Sequence, residues 1–275
     1  MSSDLEEKLL DDLQKSGFGS ELKVLETLKA EDWKVFAGLS YFDSTSKKSR
    51  EIDVHALRVC HEDVENASSE DSSFEISFEL WIEVKKTTHP WIILRSSSPD
   101  KFIDLTSALY RVTAANGFSL AEMRKLIASR SVAMRSGWSG HGVHEAFKKP
   151  DQPSQWFAAF TKLACVCRDP NYCRVFFKGN ERRYMRTAQP LVVLDGKLFS
   201  AQSNGDGISI TEIREASIDF NVSEGSAPDE RPSIQIDVVT MTALSDYLKD
   251  ASMTHHRLCE VARSEIAPEP SQETR

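Results

Sequence analysis

Two alternating runs dominate the first third of the chain. Residues 51–58 put Glu51, Asp53 and His55 on one face of a predicted strand, because successive strand side chains point to opposite faces. Residues 74–86 carry Phe74, Ile76, Phe78, Leu80 and Ile82 at alternate positions, and their last turn of pattern sets Trp81, Glu83 and Lys85 opposite Ile82 and Val84. In front of them, Leu5, Leu9, Leu10 and Leu13 recur at helical spacing over residues 5–14, Gly17 and Gly19 break the pattern, and Leu22, Val24, Leu25 and Leu28 restart it over 21–30. Ser20 is the expected N-cap of that second helix, which sets Glu21 in its first turn. Residues 33–42 alternate loosely, so the segment reads as a helix followed by a three-stranded meander, with a polar turn at 43–49 and an acidic, serine-rich loop at 61–73.

Beyond residue 90 the pattern is more broken. A short strand is expected at 91–94, helices at 104–115 and 119–130 separated by Asn116 and Gly117, and a glycine-rich flexible loop at 137–142. Ser154 should cap a helix reaching Cys167, with Trp156, Phe157, Phe160, Leu163 and Ala164 on its apolar side. Strands are expected at 174–177 and 190–194, and Asp195-Gly196 signals a hairpin whose return strand is 197–201. Residues 208–222 give one or two strands, 224–233 a loop, 234–239 a late strand and 242–249 a helix, with 253–264 extending or following it. The expected fold class is α/β, a mixed central β-sheet flanked by helices. A single domain spans 1–267, with a core over about 17–95, a helical insertion over about 100–168, further strands and a C-terminal helix over 174–264, and a disordered tail at 268–275.

Composition narrows the function classes. The 275 residues are 40% hydrophobic and 28% charged, which is ordinary for a globular protein and leaves no apolar run long enough to span a bilayer. A polar, acidic N-terminus gives no secretory signal, so a cytoplasmic location is expected. The five cysteines then read as reduced thiols, and Cys165, Cys167 and Cys173 lack the spacing of a zinc site. A net charge of −8 weighs against nonspecific coating of nucleic acid while leaving room for a local basic groove.

Two carboxylates and a lysine on adjacent apolar strands are costly to bury unless paired or bound to a metal. A helix with an early glutamate, a strand reading Arg50-Glu51-Ile52-Asp53-Val54 and a strand ending Ile82-Glu83-Val84-Lys85 resemble the PD-(D/E)xK, or restriction-endonuclease-like, nuclease superfamily over about residues 17–95. Ile52 stands where the family often has a proline. The resemblance implies Asp53 and Glu83 as ligands of Mg²⁺ or Mn²⁺, joined by the Val84 carbonyl, Lys85 as the residue assisting the attacking water, and Glu21 as a further metal or water contact. It implies phosphodiester hydrolysis, with DNA rather than RNA as the substrate, no membrane partner, and a homodimer left open. A metal beside Lys85 would lower its pKa and favour a base role. The alternative is a catalytically inactive nuclease-like domain that binds nucleic acid or a protein.

Each group also has a plainer reading. Lys85 can be a simple salt-bridge partner, and Glu21 can merely complement the helix dipole. Glu51 can pair with Arg50 or Lys86, and His55 can be satisfied by a neighbour. Trp91 reads as core before base stacking, and the basic stretch Arg182, Arg183 and Arg186 with Tyr184 reads as a solvated loop before a phosphate contact. His141 and His144 lack the spacing of a zinc protease.

Overall fold

The computed structural model describes residues 2–43, 47–63, 73–95, 112–118, 121, 139–168, 174–175, 183–221 and 234–266. Helices α1 (Ser2–Ser16) and α2 (Phe18–Ala30) precede strands β1 (Lys34–Asp43), β2 (Lys48–Asp63), β3 (Ser73–Lys86), β4 (Trp91–Arg95), β5 (Val112–Asn116) and β6 (Ser139–Glu145). Helix α3 (Gln155–Arg168) follows, then β7 (Arg174–Val175), β8 (Arg183–Asp195), β9 (Leu198–Ser203), β10 (Ile208–Ile213), β11 (Glu215–Phe220) and β12 (Ile234–Thr240). A 3₁₀ turn at Met241–Ala243 leads into the single long helix α4 (Leu244–Ile266).

The strands form one mixed sheet in the order β1-β2-β3-β8-β12-β11-β6-β4-β9-β10; off this path β5 pairs with β8, and β7 with β5. The expected meander β1-β2-β3 is antiparallel throughout. β8 then runs parallel to β3, and β12 parallel to β8. With both edges of β8 occupied, its segment Pro190–Leu194 is buried on both faces, which is why it reads as a continuous apolar run rather than an alternation.

Alternation divides the core into two clusters, one on each face of the sheet. On one face Phe74, Ile76, Phe78, Leu80, Ile82 and Val84 of β3 pack with Val24 and Leu28 of α2 and Leu244, Leu248 and Leu258 of α4. On the other, Trp81, Trp91, Val192 and Leu194 pack with Ala159, Phe160, Leu163 and Ala164 of α3. The result is a helix–sheet–helix sandwich whose middle layer carries β3 and β8. Among the described residues, no helix is long and apolar enough to cross a membrane.

Several expectations change. Gly17, at φ +94°, precedes α2 in place of the expected Ser20 cap, and Ser20 is a buried residue inside the helix. Its hydroxyl donates instead to Asp195 Oδ2 at 2.5 Å. Asp195-Gly196 is a corner, not a hairpin, because β8 already lies between β3 and β12 and the chain must leave to pair β9 with β4 and β10. The expected loop at 137–142 contributes to strand β6, where a Cβ on Gly140 would collide with the Ile93 side chain. Residues 112–116 are a strand rather than the end of a helix; the rest of the expected helices at 104–115 and 119–130 lies almost wholly outside the described residues, as does the tail. Arg183 and Arg186 belong to β8, paired with β3, not to a solvated loop, and Arg182 lies outside the described residues. The leucine stripe of α1 is exposed, Leu5 to 60% and Leu10 to 57%.

Leu28, wholly buried, anchors α2 to the sheet. Leu28→Ala should lower the unfolding free energy in urea by about 2–5 kcal/mol, the range for emptying a packed leucine site. A loss well under about 1 kcal/mol would mean that α2 does not pack on β3 as described.

Candidate functional site

The site begins where two strands part. The β2–β3 ladder runs from Asp63↔Ser73 to Val54↔Ile82 and stops there. Beyond that rung the start of β2 pairs only with β1, and the end of β3, from Glu83 to Lys86, pairs with β8. The Val84 N–H on the opened side would lack a strand partner, and the Asp53 carboxylate takes it, Oδ2 accepting at 2.8 Å. Alternation also slips across Asp53: Ile52 joins the α3-side cluster while Val54 joins the opposite one. Strict sharing of one face by Glu51, Asp53 and His55 therefore does not hold.

Glu83 and Lys85 stand in the fork on the α3 side. Lys85 Nζ lies 2.8 Å from Glu83 Oε2, 3.4 Å from Asp53 Oδ2 and 3.0 Å from the Val84 carbonyl oxygen. A fourth group, which the sequence reading missed, completes the cluster. Lys162 of α3 brings its Nζ to 2.5 Å from Glu83 Oε1 and 3.4 Å from Asp53 Oδ1. Each ammonium thus bridges one oxygen of each carboxylate. Glu83 Oε1 is thus a buried oxygen held by the Lys162 ammonium. Tyr41 of β1 fixes this part of α3, its hydroxyl donating to the Lys162 carbonyl at 3.3 Å. The one signal for Lys162 was its spacing, since Ala159, Lys162 and Val166 follow at intervals of three and four and both neighbours are buried.

Burial is uneven. The Glu83 side chain is 1% exposed, against 18% for Asp53, 22% for Lys85 and 21% for Lys162. Burial pushes the Glu83 carboxyl up; Lys85 and Lys162 oppose the shift and Asp53 adds to it. Burial alone would lower the Lys85 ammonium, but Glu83 and Asp53 more than reverse this and hold it above its ordinary value. In the metal-free protein Lys85 is therefore a charged donor, not a poised base.

Glu21 lies beside the cluster rather than in it. The Ser20–Asp195 bond ties the first turn of α2 to the end of β8. Burial raises the Glu21 carboxyl, and the charges of Asp53, Glu83 and Glu51 raise it further while Lys85 works the other way. The other candidates fall outside. Arg50 pairs with Asp43, and Lys86 reaches the Gln14 carbonyl, so neither serves Glu51. His55 stacks on Trp81 with centroids 4.2 Å apart and meets Glu79 at 3.3 Å, satisfied as a structural residue. Trp91 is fully buried core. Cys165 and Cys167 lie on α3, neither in a disulfide, and Cys173 lies outside the described residues.

Among the described residues, no group of three or more His, Cys, Asp and Glu is close enough to hold a metal ion. The oxygen donors at the cluster are the Asp53 and Glu83 carboxylates and the Val84 carbonyl, the last of which faces the Lys85 ammonium at 3.0 Å. That the Lys162 ammonium touches Asp53 Oδ1 and Glu83 Oε1 together means one cation can reach both. Hard oxygen donors suit Mg²⁺ or Mn²⁺, and Glu83 Oε1 is held in the protein alone by the Lys162 ammonium. No protein-family model, curated protein or solved structure matches the chain.

A carboxyl raised by folding favours the folded state below its unfolded pKa and loses that contribution as pH rises through the folded value. Glu21 is such a group. Glu21→Gln should therefore raise the melting temperature at about pH 7.5 and leave it nearly unchanged at about pH 4, where the native carboxyl is protonated. An equal melting temperature at the higher pH would remove Glu21 from the field of the cluster.

Proposed function

We propose that this protein is a metal-dependent nuclease of the PD-(D/E)xK type that hydrolyses phosphodiester bonds, in DNA rather than RNA. The observation that supports it most is the meeting of Asp53, Glu83 and Lys85 at a fork between β2 and β3. A salt bridge needs neither a splayed ladder nor two carboxylates crowded together, and their mutual repulsion is a cost that structure alone does not require.

In this reading Asp53 and Glu83 would hold Mg²⁺ or Mn²⁺, while the Val84 carbonyl, the expected third donor, is taken by the Lys85 ammonium at 3.0 Å. The bound ion supplies a Lewis acid to the scissile phosphate and acidifies its coordinated water. Asp53 is kept in place by the Val84 N–H, so its Oδ1 faces the fork without cost in side-chain freedom. Lys85, charged and anchored to both carboxylates, orients the attacking water and stabilises negative charge gathering on the phosphate. Glu21, in the first turn of α2, lies in the field of the cluster and would steady water beside it.

A second reading rests on the mutual satisfaction of the four charges: two carboxylates and two ammonium groups sum to zero. A nuclease-like domain that binds nucleic acid or a protein without cleaving would keep this network as a brace. The two readings separate on DNA cleavage with Mg²⁺. Asp53→Ala and Lys85→Ala should each reduce it by about 10²–10³-fold or more, and chelation of the metal should abolish it. Cleavage that survives both substitutions would sink the assignment, and absence of both cleavage and Mn²⁺ binding by calorimetry would favour the brace.

A further inference from the structure

We infer that Lys162 is an internal cation occupying the metal position of the metal-free protein, displaced when a divalent ion enters and then free to hold the substrate phosphate. The inference rests on the nuclease reading and deepens it.

The geometry assigns the two lysines different places. Lys85 takes Asp53 Oδ2 and Glu83 Oε2, the first of which is already occupied by the Val84 N–H. Lys162 takes Asp53 Oδ1 and Glu83 Oε1, and neither oxygen is seen to accept a backbone hydrogen bond. An ion joining both carboxylates through these oxygens meets the Lys162 ammonium, not that of Lys85.

Charge requires one ammonium to leave. Asp53, Glu83, Lys85 and Lys162 sum to zero, so a divalent ion added with nothing displaced leaves a charge of +2 around a Glu83 that is 1% exposed. Concentrating that charge in a desolvated pocket is unfavourable. Withdrawal of one lysine halves the excess, and Glu21, standing beside the cluster, offsets the remainder.

Lys162 is the lysine able to go. Lys85 is held by Glu83, Asp53 and the Val84 carbonyl, and it shares a strand with Glu83 two positions away. Among the described residues Lys162 meets the two carboxylates, and it comes from the facing helix on a flexible four-carbon stem. Its backbone is pinned by Tyr41, so only the side chain moves. The ammonium then stays on the partly exposed side of the fork, where it would reach a phosphate carried to the metal. A lysine serving only as a brace has no such exchange with metal.

The test compares the full chain with Lys162→Met, Lys162→Gln and Lys162→Arg by Mn²⁺ calorimetry and by melting with and without Mn²⁺. An occupied site weakens apparent affinity in proportion to the fraction open. Lys162→Met and Lys162→Gln should therefore bind Mn²⁺ about tenfold tighter or more, melt lower than wild type without metal, and gain more from Mn²⁺. Lys162→Arg should bind no tighter than wild type. On DNA at saturating metal, Lys162→Met should raise KM more than it lowers kcat and make KM less salt-dependent, as loss of one phosphate contact requires. If Lys162→Met does not fold, Lys162→Gln, which is uncharged but keeps a polar end beside Glu83, carries the same expectation. Wild type that binds Mn²⁺ and cleaves, with neutral variants of equal or weaker affinity, overturns the displacement while leaving the nuclease reading intact. No Mn²⁺ binding by any of the four proteins overturns both.

Discussion

The hydrogen bond from the Val84 N–H to the Asp53 carboxylate is the contact on which the candidate site depends. Two strands can part inside a sheet only if the backbone groups they abandon find other partners, since an unpaired buried amide costs about 1–3 kcal/mol. Asp53 supplies that partner with a side chain short enough to stay in the fork. The same atom that closes the ladder also begins the charge cluster, because Lys85 meets Asp53 Oδ2 as well. Sheet termination and site assembly are thus one event.

Everything around the fork holds it open at a fixed width. β8 pairs with β3 along its whole length to Lys86↔Asp195, so the end carrying Glu83 and Lys85 does not fray. Asp195 at the end of β8 takes the Ser20 hydroxyl and sets α2, and with it Glu21. From the other face Tyr41 sets α3, and with it Lys162. Four elements, α2, β2, β3 and α3, therefore supply five charged groups, with Glu83 and Lys85 both on β3, and Asp53 is held through its own carboxylate while the others are set by contacts beside them.

The cluster also shows how buried charge is tolerated. Glu83 is nearly inaccessible, and a carboxylate so placed without partners would take up a proton. Two ammonium groups at 2.8 and 2.5 Å compensate it, and both retain some exposure. Such a network is a weak source of stability, because desolvation of the charges consumes most of their attraction. Under the proposed function, its chemical value would be to keep two carboxylates ready for a cation while the sheet bears the cost.

The local pattern made the meander, its two faces and the pairing of Glu83 with Lys85 legible, since period-two alternation is a property of the strand itself. Helix α3 was legible too, and Ser154 accepts the Phe157 N–H as its cap. Periodicity carries no information about partners across the sheet, so Asp195-Gly196, a hairpin by local chemistry, became a corner once β3 and β12 had filled both edges of β8. Ser20, a capping residue by type, was diverted by Asp195. Asp53 could be read as an acid on a strand, but its strand breaks alternation there, which follows only from the divergence of β2 from β3. Lys162 is the sharpest case: 77 residues beyond Lys85, it looks like any helical lysine until α3 docks over the fork. Sequence by itself determined which residues carry charge on which strand, because backbone geometry is local. Tertiary structure decided which of them meet, because only packing brings a helix from one part of the chain over a gap in the sheet built by another.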